Sequence, residues 1–370
     1  MRTGKRYIKV QNRRKDLFKI NQVAEMLNTT SRTIRYYEQI ELLPPVKRTK
    51  GRMRLYTHSD VELIKEIKDL QEKGLSLEEI KVEMNKFQQT ILMNRDANKI
   101  KIVVDSSASL PFDLARQNGI EIIPMHIKLG QEDLLDGLEI TPEQLKQRVE
   151  EGRLEPISAP PTEEEFITTY TRLYEAGAEK IISIHLSEKI SDTVKIARKA
   201  ASYIKDFEVQ VVDAGTMAGG AALLAFASVA NVANKKGLKD ILSELEEMKK
   251  KRSEAVVLNT VEKILGQEKE NALLKILTDF KPVLEMRSGK LSLRTRVKTL
   301  EEAEAQLVLF CQEQKELSHI IVLNSNMPKA AERLLVHLDK AFPEAKSVIF
   351  PYSSVLAANL SQELLGVAIY

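Results

Sequence analysis

The sequence predicts a multidomain chain: a mainly α, winged helix-turn-helix unit at the N-terminus, followed by a larger α/β body. Three observations carry that expectation. Residues 18–43 hold two short amphipathic segments around an NTTS turn and lead into a basic stretch centred on Gly51. From residue 100 onward, short Val/Ile-rich runs alternate with amphipathic helical segments, the pattern of buried strands and their covering helices. Charge is divided along the chain as well: residues 1–60 carry 15 Lys/Arg against 5 Asp/Glu and the rest 41 against 48, so the net +3 conceals a cationic head on a mildly acidic body. A cationic head suits a polyanion, because each phosphate it neutralises releases condensed counterions.

Composition excludes several classes. With 370 residues, 43% apolar and 29% charged, the chain is ordinary globular material with room for more than one core. The longest apolar run, AALLAFASVANV at 221–232, is shorter than the ~18 residues of a membrane span. No apolar segment follows the Arg/Lys-rich start as a signal peptide would require, so a cytoplasmic protein is expected. Cys311 stands alone, which excludes an internal disulfide framework, and the five histidines show no metal-ligand spacing. Neither a metal nor a cofactor is expected.

Element by element, residues 1–16 read as a basic tail. In NQVAEMLN, Val23, Ala24, Met26 and Leu27 form one apolar helical face. Thr30 or Ser31 is placed to cap the next helix, because a hydroxyl accepts from the free N–H groups of a first turn. In that helix, SRTIRYYEQ, Ile34 is expected to face inward and Arg32, Thr33, Arg35 and Tyr36 outward to a groove, with Pro44-Pro45 as its end. VKRTKGRMRLYT then reads as a hairpin wing whose Arg and Tyr side chains hold a phosphate backbone. A tyrosine pair alone is more often core packing than contact; the order of the parts shifts the balance here. Residues 85–99 read as a short connecting helix and linker, and 100–370 as the α/β body.

In the body, KIKIVVD, GIEIIPMHI, EKIISIHL, FEVQVVD, EAVVLN, HIIVLN and KSVIF are the expected strands. Ligand sites in open α/β sheets lie beyond the carboxyl ends of strands. Those positions hold Asp105-Ser106-Ser107, Ser187 to Thr193, Asp213 to Thr216 and Asn324-Ser325-Asn326, so hydroxyls dominate. No nucleophile–histidine–carboxylate set, Gly-Lys-Ser phosphate loop or catalytic carboxylate pair is assembled from them, and no enzyme is expected. Ser and Thr after strands are, taken alone, often turn residues bonded to their own backbone.

Two resemblances sharpen this. The stretch from Ile20 through NTTSRTIRYYEQIELLPP and RTKGRMRLYTHSD to GLSLEEIK resembles the winged-helix DNA-binding domain of the MerR family over residues 17–84. It implies that the helix with Arg32, Thr33, Arg35, Tyr36 and Tyr37 enters the major groove of double-stranded DNA, while a wing with Arg52, Arg54 and Tyr56 grips the flanking backbone. Members usually continue into a long dimerisation helix. Here that helix runs only through MNKFQQTILMNRD, so dimerisation would rest on Phe87, Ile91 and Leu92 or on the body. A homodimer is the expected assembly, matching two-fold operators, with RNA polymerase a further candidate partner.

KIVVDSSASLP, IEIIPMHI, SAPPTEEEF, LSEKISDTVKIARKAA, VVDAGTMAGGAAL, DFKPVLEMRSGKL and LLGVAIY are similar, in order and spacing, to the DegV family across 100–370. This resemblance implies a two-lobed α/β fold that binds one long-chain fatty acid non-covalently. Ser158 and Ser191 would bond the carboxylate, with Thr193, Thr216, Asp105 and Ser106 as a supporting shell and Asn359 where the family has histidine. Asp192 replaces a glycine, Ser361-Gln362-Glu363 a glycine turn, and KILGQEKEN (263–271) an Arg-Gly-Gly-Arg segment tied to presenting the carboxylate to a kinase. Hydroxyl donors can hold an anion through charge-assisted bonds, and a buried tail gains about 0.8 kcal/mol per methylene. The combined expectation is a ligand-responsive DNA-binding transcription regulator that senses a fatty acid or a less acidic amphiphile. Two alternatives stand beside it: a fatty-acid carrier for a fatty-acid kinase, and a DNA-binding protein whose back half is a dimerisation scaffold.

Overall fold

The computed structural model describes residues 18–40, 42–43, 47–48, 54–56, 58–72, 75–81, 99–152, 154–259, 280–287, 289–314 and 316–370. The chain divides into two compact units, residues 1–93 and 94–370. Outside the described residues lie the basic tail, Pro44-Pro45, Gly51, Arg52, the connecting segment with Phe87, Ile91 and Leu92, and the 263–271 stretch.

In the first unit a three-stranded sheet, order β1-β3-β2, joins β1 (Phe18–Lys19), β2 (Lys47–Arg48) and β3 (Arg54–Tyr56). Helices α1 (Ile20–Met26), α2 (Ser31–Gln39) and α3 (His58–Glu72) pack around Val23, Ile34, Tyr37, Tyr56, Ile64 and Ile67. Thr30 caps α2, its hydroxyl accepting from the Thr33 amide at 3.0 Å. The helix ends at Gln39 rather than at the prolines. Leu42 and Leu43 turn into the core, and both their amides donate to the Tyr37 carbonyl.

The second unit has two lobes. A parallel sheet, order β10-β9-β4-β5, is built from β4 (Ile100–Asp105), β5 (Ile120–Ile123), β9 (Lys180–His185) and β10 (Glu208–Asp213). A smaller antiparallel sheet, order β7-β6-β8, holds β6 (His126–Leu129), β7 (Glu132–Leu135) and β8 (Ile157–Ala159). GIEIIPMHI is therefore two strands in two sheets, broken at Pro124-Met125. The other lobe is a mixed six-stranded sheet, order β13-β12-β11-β16-β14-β15. Its strands are β11 (Ser253–Leu258), β12 (Lys281–Arg287), β13 (Lys290–Val297), β14 (His319–Ser325), β15 (Lys346–Pro351) and β16 (Leu364–Ile369).

Helices cover these sheets: α4 (Phe112–Gln117), α5 (Pro142–Gly152), α6 (Glu163–Glu175), α7 (Thr193–Tyr203), α8 (Ala218–Ala233), α9 (Leu238–Lys251), α10 (Leu300–Gln312), α11 (Pro328–Ala341) and the short α12 (Ser354–Asn359). The apolar run at 221–232 lies in α8, and no described helix is long and apolar enough to cross a membrane. Its Ala-rich surface packs on β4 of one lobe and β16 of the other. Gly219 permits that approach, since a Cβ there would sit 2.7 Å from the Ala368 Cβ. One apolar core thus runs through both lobes.

Candidate functional site

In the first unit, Arg32, Arg35 and Tyr36 are exposed on α2, and Thr33 is half-buried with its hydroxyl 2.8 Å from that of Thr30. Tyr37 and Tyr56 correct the sequence-based expectation. Tyr37 is 3% exposed with its hydroxyl donating to Gln71 Oε1, and Tyr56 is fully buried with its hydroxyl donating to Glu38 Oε1. Both rings turn inward: Tyr37 lies about one helical turn from Ile34 and so on the core face, and Tyr56 lies on β3, the central strand of its sheet. Arg54 Nε donates to Glu38 Oε2 at 2.7 Å, so Glu38 ties α2 to the wing strand β3 through two side chains.

In the second unit the fold brings Ser158 and Asn359, 201 residues apart, into direct contact: Asn359 Nδ2 donates to Ser158 Oγ at 2.7 Å and to the Val355 carbonyl at 2.8 Å. Ser158 comes from β8 and Asn359 from the last position of α12. Ser158 Oγ accepts from that amide, and its own hydrogen has no acceptor among the described residues. Ser191 Oγ lies 2.8 Å from Thr193 Oγ1 and accepts from the Thr193 amide at 3.3 Å, at the start of α7. Asp192 is turned to solvent and paired with Lys195 Nζ at 2.7 Å. No described contact joins the Ser158 pair to the Ser191 pair.

The remaining expected residues are buried and engaged internally. Ser106 Oγ accepts from the Met125 amide at 3.0 Å, and Thr216 Oγ1 donates to Glu254 Oε2 at 2.7 Å. Asp105 Oδ2 accepts from His185 Nδ1 at 2.8 Å, while Asp105 Oδ1 accepts from the Ser107 amide and hydroxyl. Sequence reasoning missed the rest of this chain of bonds. The Tyr170 hydroxyl donates to Ser183 Oγ at 2.8 Å, and Ser183 Oγ lies 2.7 Å from His185 Nε2. Serine, histidine and aspartate thus stand in the order of a hydrolytic triad. All are at most 1% exposed, and Ser183 Oγ is enclosed between a tyrosine hydroxyl and the imidazole, so no acyl group can reach it. The arrangement binds β4, β9 and α6 together. Its signal in the sequence was the Ser183-x-His185 spacing, which places both on one face of a strand.

The lobes meet along a polar seam beside α8. Ser187 Oγ donates to the Gly289 carbonyl at 2.7 Å, and Arg252 Nη2 donates to the Ala214 carbonyl. Glu254 is buried there. Burial pushes its carboxyl up to about 7, with Thr216, Arg252 and the Gly220 and Met217 amides pulling the other way. The folded chain therefore retains a proton that the unfolded chain releases between the ordinary 4.5 and about 7, so stability should fall as pH rises through that window. Glu254→Gln is expected to remove a loss of about 3 kcal/mol between pH 5 and pH 8 in denaturant melts. Equal slopes in variant and parent would show that Glu254 ionises alike in both states.

Two α/β lobes closed on a shared helix, following a winged helix in the chain, define the class. The chain matches the model of the DegV family over residues 99–370, nearly three quarters of its length, and it belongs to that family. Residues 18–86 match the model described as MerR HTH family regulatory protein. A DegV domain-containing protein of Listeria innocua is 26% identical over 72% of this chain and 97% of its own length. Among solved structures, a DegV family protein of Thermus thermophilus, described by its fatty acid binding, superposes with a TM-score of 0.67 at 25% identity over 73% of this chain and 99% of its own. DegV of Bacillus subtilis shares the fold with a TM-score of 0.67 at 22% identity, over 74% of this chain and 99% of its own.

Proposed function

We propose that the chain is a DNA-binding transcription regulator whose DegV domain takes a fatty acid or a related amphiphile as effector. The observation that carries this reading is the Ser158–Asn359 contact, which leaves a serine hydroxyl free to donate to a head group. The fatty acid binding described for the Thermus thermophilus relative supports the ligand class. The exposed Arg32, Arg35 and Tyr36 on α2 support DNA as the other partner, with Arg52 and Arg54 as backbone contacts from the wing. The protein acts as a homodimer on a two-fold duplex in the cytoplasm, with RNA polymerase as the machinery it addresses.

A mobility-shift titration at fixed salt, on a duplex selected from random sequence by the protein itself, tests this with and without oleate. Oleate is expected to change duplex affinity by about fivefold or more, the lower end of coupling between sites. Ser158→Ala/Ser191→Ala should bind the duplex like the parent and lose the response, whereas Arg35→Ala should weaken duplex binding about tenfold at any oleate concentration. Unchanged duplex affinity while calorimetry shows oleate bound would end the regulator reading and favour a carrier.

A further inference from the structure

His126 lies where the strand carrying Ser158 meets its neighbours. It opens β6 and pairs with Ala159 of β8, while Ile127 pairs with Ser158 itself. Three residues beyond Ala159 the chain enters α6 through Thr162, which forms a capping box with Glu165: the Thr162 amide and hydroxyl donate to Glu165 Oε2 at 2.7 and 2.8 Å. The His126 ring reaches back to that same carboxylate, Nε2 lying 3.1 Å from each Glu165 oxygen, while Nδ1 lies 3.0 Å from Asp133 Oδ1 on β7. The segment from Ala159, next to Ser158, to Glu165 is therefore held to His126 at both ends, by strand pairing and by the imidazole.

A ring with a carboxylate at each nitrogen has its hydrogen bonds satisfied only as imidazolium, because the neutral form turns a lone pair on one of the two acids. We propose that His126 is a positioning residue for Ser158: its protonated ring clamps Glu165 and Asp133, holds the 158–165 segment in its ligand-competent shape, and makes the grip on an anionic head group weaken as pH rises. This rests on the reading of Ser158 as a head-group donor. Two effects act together when the ring loses its proton. One carboxylate loses its donor, and the cluster of one cation and two anions becomes two anions that repel across the clamp, on the sheet face opposite Ser158, so the effect reaches the head group through the shape of the segment.

Other charges around the ring do not offset this. Lys128, two residues along β6, is exposed; Glu132 of β7 is held by Arg148; Glu163 of α6 is held by Lys199; and Glu164 adds a further negative charge. β8 and α12 bring no titratable side chain. Burial works to lower the imidazole's proton affinity, but the bonds and charges of Glu165 and Asp133 outweigh it and hold the group above its ordinary 6.5. A raised histidine contributes fully below 6.5, and the contribution is lost as pH rises through the raised value.

The test is calorimetric titration of the delipidated full chain with oleate at about pH 6 and about pH 9, for the parent, His126→Gln and Glu165→Gln. Oleate's own ionisation is common to all three and cancels in the comparison. Across that range the parent is expected to lose about fivefold more affinity than either substituted protein does. Nitrogen-detected NMR of the parent's imidazole, with and without oleate, should show the titration midpoint moving up on binding, since coupling is reciprocal, and this readout survives a variant that fails to fold. Equal pH slopes in parent and variants, or an imidazole midpoint indifferent to oleate, overturns the clamp and leaves the Ser158 reading standing. A parent that binds no oleate at either pH overturns both.

Discussion

Glu38→Ala is expected to weaken duplex binding about tenfold or more without deleting a phosphate contact. Glu38 sits on α2 between its exposed residues and the core, where it holds Arg54 Nε and the Tyr56 hydroxyl of β3. Losing it leaves a fully buried tyrosine hydroxyl without its acceptor, at a cost of about 1–3 kcal/mol, and frees α2 to turn against the wing. On the proposed reading, groove contact by α2 depends on that orientation, and about 1.4 kcal/mol of misfit is a tenfold loss. The slope of log affinity against log salt should stay at the parental value, because no cation is removed, whereas Arg35→Ala should reduce it if that residue meets a phosphate. Tyr56→Phe keeps the Arg54–Glu38 ion pair and should bind nearly as well as the parent. An unchanged affinity for Glu38→Ala would show that the wing and α2 read DNA independently.

Gly366→Ala is expected to destabilise the DegV domain by about 3 kcal/mol or more. Gly366 lies in β16, a strand buried along its whole length, opposite Val256 on one side and Leu323 on the other. A Cβ there would collide with the Tyr352 hydroxyl and sit 2.7 Å from the Ala255 carbonyl oxygen and 3.2 Å from Tyr352 Cζ. The ring is fully buried and the carbonyl is backbone, so neither yields cheaply. Tyr352→Phe behaves oppositely. The hydroxyl has no hydrogen-bond partner among the described residues, and removing it should leave stability equal or about 1 kcal/mol higher. The double variant should recover part of the Gly366→Ala loss, because the Ala255 contact remains. Chemical melts of the four proteins decide this; a Gly366→Ala protein as stable as the parent would show that β16 shifts freely.

Much of the architecture was legible because it is local. The helix at Ser31–Gln39, its cap at Thr30 and the inward Ile34 follow from hydroxyl placement and helical period. Tyr37 was legible too, three residues from Ile34 and hence on the same face; it entered the contact set only through the resemblance to the MerR domain. For Tyr56 the sequence held no such signal: burial came from β3 being the central strand of its sheet, with Glu38 supplied by a helix 18 residues away. The strand runs of the body were readable as apolar segments, but the antiparallel seat of β16 between β11 and β14 depends on long-range pairing that periodicity does not encode.

The same division holds for the candidate site. Motif order in the sequence named Ser158, Ser191 and Asn359 as head-group positions and identified the two families, because residue type and spacing are written along the chain. Tertiary structure decided which of the named hydroxyls keep a free proton. It joined Asn359 to Ser158 across 201 residues, committed Thr216 to Glu254 and Asp105 to His185, and aligned Ser183, His185 and Asp105 into a closed internal relay. The physical reason is that a hydroxyl's partner is whatever polar group packing brings within about 3 Å. That neighbour is set by strand register and helix docking, quantities that exist only once the two lobes have closed on α8.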